Sequence, residues 1–505
     1  MVSAASTKTI LLVVVDQLAA RWLEEGLAGI VPLPNLTWMR QSGVMFTRAF
    51  TNNPVCSPSR ATIATGLHSV NHGVTECGYN LDPAIPTFMQ GLQLNRWRTG
   101  AFGKLHFLPQ IAWITPDYKP YGFDVTHITE DSRVGEWLDW VRDTHPEHYQ
   151  AAQATVWMTM IPGLEQYGSD RADLRAEIIE AKEAFPQTKE EAYELPFPAE
   201  VSQSAWITER ALDFIRETSE SQDLFAQVSY VQPHNPFTPP SEFVSLVNCD
   251  LIPKPEPAEW IHEPIPYYQQ DRYASPSYEN ADWKRQRQLY FADIAHLDHE
   301  LGRLREGIQE AGRSDNTLII FTSDHGELLH DHGLLGKWER HYDACIRIPL
   351  LITGPGITAG DNSDLVDHTD IAPTIFEWAG VEPPTLPRWP LSKEPMSMLP
   401  GQSLATLPRQ TRDAVYVQSN NNHWEATPRS WARSIRTEQY RYTRHLAEGG
   451  EQLFDLVADP GEQVNLAHNP AFSQLVDELR DRLMELVSRE GYPNSPRQVY
   501  RIGSW

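Results

Sequence analysis

Four short apolar runs, each followed by polar or turn-forming residues, constrain the fold of this chain more than any other feature. They lie at 10–15, 224–231, 317–323 and 349–354. Runs of this length and composition are typical of strands that are buried on both faces, as in the middle of a parallel sheet. Helical patterns lie between them at 204–218, where Ser202 is a candidate cap, and at 289–312, which ends at Gly312. This alternation predicts an α/β fold with a large, mostly parallel or mixed sheet flanked by helices.

A different pattern begins after about residue 380. The segment 381–402 is rich in proline and reads as a connection. Short strand patterns follow at 414–418, 430–437, 440–446 and 451–456, and an amphipathic helix follows at about 471–489. They predict a smaller C-terminal α+β domain with an antiparallel sheet. We therefore divide the chain into a catalytic domain (1–380), a connection (381–402), a small domain (403–490) and a tail (491–505) that we expect at an oligomer interface.

Charge and cysteine content exclude several classes of function. The 505 residues carry 42 Lys and Arg against 67 Asp and Glu, a net charge of −25. Phosphate backbones and anionic membranes attract clustered Lys and Arg, so we expect neither nucleic acid nor a membrane as partner. The four cysteines are scattered and form no CxxC pair, which fits a reducing compartment. The apolar run at 10–15 is too short to span a bilayer, and we expect a cytoplasmic protein.

Polar groups follow three of the predicted strands directly. Asp16 and Gln17 follow the first, His234 lies just beyond the second, and Asp324 and His325 follow the third. In open α/β sheets, active-site groups gather beyond the carboxyl ends of the strands. One such group alone is as often a surface cap or a buried polar residue, but three in matching positions favour a site. Carboxylate, amide and imidazole donors together predict a divalent-metal site, for which Mg²⁺, Mn²⁺, Ca²⁺ and Zn²⁺ remain open.

Cys56 lies in the segment Asn53-Pro54-Val55-Cys56-Ser57-Pro58-Ser59-Arg60. The proline that follows it forces a turn, and the residues after the turn can begin a helix. A helix N-terminus lowers the pKa of a thiol and favours anions. Taken locally, a small buried hydrophobic residue at the start of a helix is the more frequent role of a lone cysteine.

A family resemblance favours a reactive role for Cys56 over a structural one. Cys56-Ser57-Pro58-Ser59-Arg60 resembles the sulfatase signature C-x-P-S-R, in which the cysteine is oxidised to formylglycine. Further segments resemble sulfatase motifs in the order of the family: Asp16-Gln17, Thr65-Gly66, Gly103-Lys104-Leu105-His106, Ser323-Asp324-His325-Gly326-Glu327, Gly336-Lys337, Asp367 to Thr374, and Leu453-Phe454-Asp455-Leu456. The ordered set spans about residues 8–470. It is similar to the formylglycine-dependent sulfatases of the alkaline phosphatase superfamily, which implies an alkaline-phosphatase-like fold.

The resemblance also implies a cofactor set. Cys56 would be converted to formylglycine by a maturation enzyme, and one divalent metal ion would lie beside it. Asp16, Gln17, Asp324 and His325 would hold the metal together with the converted Cys56. Sulfatases often have Asp-Asp and Asp-Asn at these two pairs, so Asp16-Gln17 and Asp324-His325 are departures. They resemble the branch that contains choline sulfatases and phosphonate monoester hydrolases. They favour Mn²⁺, or another metal that tolerates nitrogen ligands, relative to Ca²⁺, and Gln17 would be either a weak ligand or a neighbour of the ligands. Mn²⁺ and Ca²⁺ are the leading candidates, with Mg²⁺ and Zn²⁺ as alternatives.

The catalytic roles carry over in the same way. Arg60 would hold the nucleophile and its charge, while Lys104 and Lys337 would clamp sulfate oxygens. His106 would orient or deprotonate the formylglycine hydrate, and His234 would protonate the leaving oxygen. The ordinary alternatives are solvated lysines and structural histidines. The presence of Lys104 and His106 argues against a dedicated phosphonate hydrolase, since that branch replaces them.

We therefore expect a hydrolase of sulfate monoesters, with aryl sulfates as substrates and promiscuity toward phosphonate monoesters and phosphodiesters. A phosphonate monoester hydrolase or phosphodiesterase on the same scaffold is the alternative, and a non-catalytic protein that binds sulfated ligands is a third. The substrate is a small anionic ester, and we expect a homodimer or homotetramer.

Aromatic residues that could stack on the leaving group, or belong to the core, are Trp113, Tyr118, Trp137 and Trp140. Histidines for which a structural role is favoured are His68, His72, His332 and His341.

Overall fold

The computed structural model describes residues 7–109, 116–157, 174–263, 282–338, 340–386, 396–397, 399–405, 409–420, 430–447 and 450–490. Its strands are β1 (Thr9–Val15), β2 (Val44–Phe46), β3 (Ala49–Phe50), β4 (Arg98–Gly103), β5 (Val125–Ile128), β6 (Leu224–Ser229), β7 (Thr317–Ser323), β8 (Leu350–Thr353), β9 (Gly360–Asn362), β10 (Val366–Asp367), β11 (Thr385–Leu386), β12 (Met396–Ser397), β13 (Val415–Ser419), β14 (Ser430–Arg436), β15 (Tyr440–Ala447) and β16 (Glu451–Asp455).

The described helices are α1 (Ala20–Glu25), α2 (Pro34–Ser42), α3 (Cys56–Thr65), α4 (Ser69–His72), α5 (Phe88–Leu94), α6 (Glu136–Thr144), α7 (Tyr149–Ala154), α8 (Leu174–Ala184), α9 (Gln203–Glu217), α10 (Ser241–Val244), α11 (Trp283–Glu310), α12 (Asp343–Ile346), α13 (Ile371–Ala379) and α14 (Ser473–Glu490). Among these residues, no helix combines the length and the apolar character that crossing a bilayer requires.

The main sheet has eight strands in the order β5-β4-β6-β1-β7-β8-β2-β9. The five strands from β5 to β7 are parallel to one another. β8 runs antiparallel to β7, and β2 runs antiparallel to β8. The predicted large, mostly parallel or mixed sheet flanked by helices is therefore confirmed. Because β1 lies between β6 and β7, their carboxyl ends meet at one edge.

The unbroken apolar run of β1 reflects burial on both faces. Its side chains at 10, 12 and 14 pack into a core with residues of α3, α5 and α13. Those at 11, 13 and 15 pack on the opposite face, against residues of α2, α9 and α11. Every residue of the strand is at most 1% exposed. Burying each such side chain contributes about 2 kcal/mol before conformational entropy is counted, which stabilises this strand at the centre of the sheet.

Two helices lie where the sequence predicts them, and α9 follows its predicted boundaries closely. The Ser202 hydroxyl accepts a hydrogen bond of 3.1 Å from the Ala205 backbone N–H, so this residue caps α9. The long helix α11 begins earlier than predicted, because Asp282 caps it by accepting a bond of 3.2 Å from the Arg285 N–H. It ends just before Gly312, whose φ of +68° favours glycine.

The C-terminal strands β13 to β16 form a four-stranded antiparallel sheet, as predicted. The apolar face of α14 packs on this sheet through Val476, Leu479, Leu483 and Leu486. The small sheet also contacts the main unit, because Trp260 stacks on Tyr342 and both rings pack beside Phe454. The proposed domain boundaries stay predictions. The tail 491–505 and most of the proline-rich connection between 387 and 398 lie outside the described residues.

Candidate active site

The candidate site lies where the central strands of the main sheet end. Asp16 follows β1, Asp324 follows β7, and Lys104 follows β4. All three side chains are 0% exposed. The parallel register of these strands brings together groups that are far apart in the sequence, as the sequence analysis predicted.

Cys56 is the first residue of α3, and its side chain points into this cluster. Its Sγ lies 2.8 Å from Lys337 Nζ and 3.2 Å from His325 Nε2. It also lies 3.9 Å from Asp16 Oδ1. A thiol at a helix N-terminus among cations is in an environment that stabilises its anion. Cys56 is thus neither solvent-exposed nor packed only among apolar side chains.

The residues present fit a divalent cation. Ligand atoms of Asp16, Cys56, Asp324 and His325 all lie within 4.8 Å of one another, and all four residues are buried. The Nδ1 of His325 lies 3.1 Å from the Gly326 carbonyl, which can only accept, so Nδ1 carries the proton and Nε2 faces the cluster. Two carboxylates and an imidazole form a donor set that suits Mn²⁺, Ca²⁺, Mg²⁺ or Zn²⁺.

Gln17 adds an amide to this set. Its Oε1 is buried and accepts no hydrogen bond from the described residues. Its Nε2 donates to Glu327 Oε2 and lies 3.3 Å from Asn235 Oδ1. The backbone N–H donates to Asp324 Oδ1 at 3.0 Å, and the carbonyl accepts from the Tyr290 hydroxyl at 2.6 Å. These bonds hold Gln17 at a φ of 67°, and they leave Oε1 as the one atom of the amide available to a cation.

Arg60 lies one turn after Cys56 on α3 and is bonded on all sides. Its guanidinium donates to Asp324 Oδ2 at 2.7 Å and to Asp16 Oδ2 at 3.0 Å. It also donates to the Lys104 carbonyl and the Ser229 hydroxyl, both at 2.7 Å. A buried arginine with this many partners is rigid and fully paired. Arg60 therefore fixes the two aspartates relative to Cys56.

Lys104 forms a buried ion pair that the sequence analysis missed. Its Nζ lies 2.6 Å and 2.8 Å from the two carboxylate oxygens of Asp131 and 2.6 Å from Asp16 Oδ2. Asp131 lies beyond the end of β5, next to Glu130. A polar group that follows a strand is the signal that identified Asp16 and Asp324, but β5 itself was not recognised.

The two predicted catalytic histidines lie at the margins of the cluster. The backbone N–H of His106 donates to Glu130 Oε1 at 3.2 Å, and its imidazole is among the groups that lower the pKa of Cys56. The Nδ1 of His234 lies 2.6 Å from the Asn235 carbonyl, so Nδ1 carries a proton and Nε2 is the end that can exchange one. The His234 ring also packs against Trp157, at 5.7 Å between centroids.

Burial and nearby charged groups act in opposite directions on the pKa values of the cluster. Burial acts to raise the pKa of the Cys56 thiol, but Lys104, Lys337 and His325 outweigh it, and the pKa falls well below 9.0. The pKa of Asp16 is likewise lowered despite burial, chiefly by Lys104. Burial acts to lower the pKa of Lys104 and Lys337, but the surrounding anions raise both. The cluster thus holds fully ionised groups without bulk water.

The other residues considered from the sequence lie elsewhere. His72 Nδ1 accepts from the Val74 N–H at 3.1 Å, and His341 lies between two serine hydroxyls, so both are structural as predicted. Tyr118 and Trp137 are each 1% exposed and belong to the hydrophobic cores. Trp140 is partly buried against the core, and Trp113 lies outside the described residues.

Comparisons with known proteins agree with this geometry. The sulfatase family model matches residues 8–381, and a model described as N-sulphoglucosamine sulphohydrolase, C-terminal, matches residues 330–489. An arylsulfatase of Clostridium perfringens is 25% identical over 507 residues, covering 96% of this chain and 95% of the relative. A choline-sulfatase of Rhizobium meliloti is 27% identical over 470 residues, covering 91% of this chain and 82% of the relative.

Among solved structures, a phosphonate monoester hydrolase of Agrobacterium radiobacter superposes with a TM-score of 0.76 at 23% identity and covers 96% of both chains. The predicted alkaline-phosphatase-like fold is thereby confirmed. The sulfatase family model, which matches residues 8–381, includes every residue of the cluster described above. The chain belongs to the sulfatase family and is a sulfuric ester hydrolase.

Proposed function

We propose that this enzyme hydrolyses sulfate monoesters, with aryl sulfates as substrates, at a formylglycine made from Cys56. The observation that carries this proposal is the position of Cys56 at the N-terminus of α3. Its Sγ is 2.8 Å from Lys337 Nζ and belongs to a group of four buried donors that could hold a metal ion. The arylsulfatase and choline-sulfatase relatives support a sulfate ester as the substrate.

Two groups would complete this site. A divalent cation held by Asp16, Gln17, Asp324 and His325 supplies Lewis-acid stabilisation of negative charge on oxygen. Conversion of the Cys56 CH₂–SH group to an aldehyde supplies, as its hydrate, a nucleophilic hydroxyl and a second hydroxyl through which sulfate can be expelled. We propose that a maturation enzyme performs this conversion, a two-electron oxidation that requires an external oxidant such as O₂ and releases the sulfur as sulfide.

The cationic side chains would bind the sulfate group. Lys104 Nζ and Lys337 Nζ both lie beside the position of the nucleophile, and they would donate hydrogen bonds to sulfate oxygens, where charge gathers in the transition state. Arg60 would hold the nucleophile through its fixed guanidinium. Since all three are buried and rigidly paired, little reorganisation is needed during the reaction.

The histidines would move protons. His234 holds a proton on Nδ1 toward the Asn235 carbonyl, which leaves Nε2 to protonate the leaving oxygen. His106, whose imidazole is among the groups that lower the pKa of Cys56, would take the proton from the hydrate when sulfate is expelled. The two histidines would thus serve separate steps.

The same site should accept other monoanions. Sulfate monoesters, phosphonate monoesters and phosphodiesters each carry one negative charge on a tetrahedral centre, so we propose secondary activity on the latter two. A phosphonate monoester hydrolase or phosphodiesterase remains the alternative. The experiment compares kcat/KM for 4-nitrophenyl sulfate and for phenyl 4-nitrophenyl phosphonate. A much larger value for the phosphonate would reject the sulfatase proposal in favour of the alternative.

A second experiment tests the nucleophile and excludes a non-catalytic, ligand-binding role. Intact mass should show a loss of about 18 Da when the thiol becomes an aldehyde. Cys56→Ala should abolish sulfate hydrolysis, whereas Cys249→Ala, which changes a partly buried cysteine outside the cluster, should keep it. Full activity in Cys56→Ala would refute the formylglycine mechanism.

The quaternary structure and location stay predictions. We propose a cytoplasmic homodimer or homotetramer in which the tail 491–505 lies at the interface. Sedimentation velocity at micromolar concentration tests the assembly, and a monomer alone would reject it.

A further inference from the structure

We propose that Asp131 sets the charge selectivity of the active site, so that singly charged esters are hydrolysed in preference to dianionic phosphate monoesters. This inference rests on the proposed function and adds to it a specificity-determining residue. It starts from the contacts of Lys104, the lysine that would bind the substrate's tetrahedral group.

The ion pair between these residues is bidentate and closed to solvent. Lys104 Nζ lies 2.6 Å from Asp131 Oδ1 and 2.8 Å from Oδ2, and the two side chains are 0% and 3% exposed. Lys104 also lies 2.6 Å from Asp16 Oδ2. An ammonium group has three N–H donors, and two of them bond to Asp131 while the Asp16 carboxylate lies in ion-pair contact, before any substrate is bound. Lys104 therefore offers a substrate a hydrogen-bond donor whose positive charge is already compensated.

The aspartates that pair with Arg60 and Lys104 differ in whether they could also hold a metal ion. Asp16 and Asp324 bond to Arg60, and both belong to the four residues that could hold a metal. Asp131 bonds to Lys104 and is outside that group. Its charge is thus not needed to bind a cation cofactor. Its charge lowers the positive potential at Lys104, where the substrate would bind.

The consequence depends on the charge of the substrate. The Coulomb energy between the site and a bound anion scales with the product of their charges, and it is large where water is excluded. One added negative charge at Asp131 therefore disfavours a dianion twice as strongly as a monoanion of the same shape. Sulfate monoesters are monoanions at any physiological pH, whereas phosphate monoesters become dianions above about pH 6. Asp131 would discriminate between esters that are otherwise nearly identical in shape.

Asp131→Asn tests this directly, because the amide keeps the shape of the side chain and one acceptor oxygen but removes its charge. The measured quantity is kcat/KM for 4-nitrophenyl phosphate divided by kcat/KM for 4-nitrophenyl sulfate. At about pH 8 we expect this ratio to rise about tenfold or more over wild type. At about pH 4, where the phosphate ester is mainly a monoanion, we expect the ratio to equal that of wild type within about twofold.

Asp370→Asn is the matched control. Asp370 also forms a buried bidentate pair, at 2.8 Å and 2.9 Å to Arg412, but it does not contact Lys104 or Arg60 in the described structure. It should lose stability without a change in the ratio at either pH. If Asp131→Asn fails to fold, Asp131→Ser is measured in the same way.

The outcomes separate this inference from the proposed function. A ratio that stays unchanged at about pH 8, or that rises equally at about pH 4, overturns the role of Asp131 while wild-type sulfate hydrolysis still supports the proposed function. Wild-type enzyme that hydrolyses no sulfate ester overturns the proposed function and this inference with it. A ratio that rises only at about pH 8, where the phosphate ester is a dianion, supports both the proposed function and the role of Asp131.

Discussion

Glu327 holds the amide nitrogen of Gln17 and leaves the amide oxygen buried without a hydrogen-bond partner among the described residues. We predict that this oxygen binds the proposed metal ion and that one substitution reverses the amide. Glu327 Oε2 accepts from Gln17 Nε2, while Oε1 accepts from the backbone N–H groups of Leu329, at 2.9 Å, and Gly336, at 2.6 Å. In Glu327→Gln, the oxygen can keep the two backbone bonds, and the new NH₂ then faces Gln17 Nε2. Two donors cannot bond to each other, so the Gln17 amide must turn its oxygen toward position 327 and away from the metal.

Turning the amide oxygen of Gln17 away is expected to weaken metal binding. Removing the partner that orients a metal ligand typically weakens binding by about 10–100-fold, which corresponds to about 1.4–2.7 kcal/mol. Isothermal titration calorimetry with Mn²⁺ on chelator-treated protein measures it without relying on activity. Glu462→Gln is the matched control, because Glu462 is also buried and accepts two hydrogen bonds, from Arg441 and from the Asp343 N–H. It should leave the affinity for Mn²⁺ unchanged.

A second substitution should repair the first. In Gln17→Glu combined with Glu327→Gln, the carboxylate at 17 can accept from the amide at 327 and still present an oxygen to the metal. Gln17→Glu alone would place two carboxylates in contact and should bind Mn²⁺ less well than the double variant. If Glu327→Gln binds Mn²⁺ as tightly as wild type, or if the double variant binds no better than Glu327→Gln, then Glu327 does not orient the amide.

Three further predictions concern protons. His234→Gln should reduce kcat/KM more for phenyl sulfate than for 4-nitrophenyl sulfate, because the poorer leaving group depends more on protonation, and equal losses would contradict the role as general acid. Burial acts to lower the pKa of His325, but Asp324 outweighs it and the pKa is raised above 6.5, so a proton competes with the metal at Nε2. Affinity for Mn²⁺ should therefore increase as pH rises through this pKa, and calorimetry that finds no dependence between about pH 6 and 8 would refute the assignment. Unconverted Cys56 should titrate as a thiolate well below 9.0, measured as the ultraviolet difference from Cys56→Ala, and a midpoint at or above 9.0 would show that the surrounding cations do not stabilise it.

Local sequence patterns predicted much of the fold. The run at 10–15 predicted a strand buried on both faces because its composition records that environment directly, and Ser202 predicted a helix start because capping involves residues a few positions apart. The reversal of β8 relative to β7 was not predictable in this way, since strand direction depends on the path of the connection. The strand β5 was missed as well. It has only four residues, three of them partly exposed, so it carries no unbroken apolar pattern.

The sequence by itself indicated most of the chemical groups in the candidate site and the family to which the chain belongs. Asp16, Cys56 and Asp324 are recognisable because each stands in a short motif whose residues are neighbours in the chain. Only the tertiary structure decided how those groups are paired. Lys104 meets Asp131 across 27 residues, and Gln17 meets Glu327 across 310. Such pairs depend on which strands become neighbours in the sheet, a property of packing that no local pattern records, and they set the charge and orientation of the groups that act.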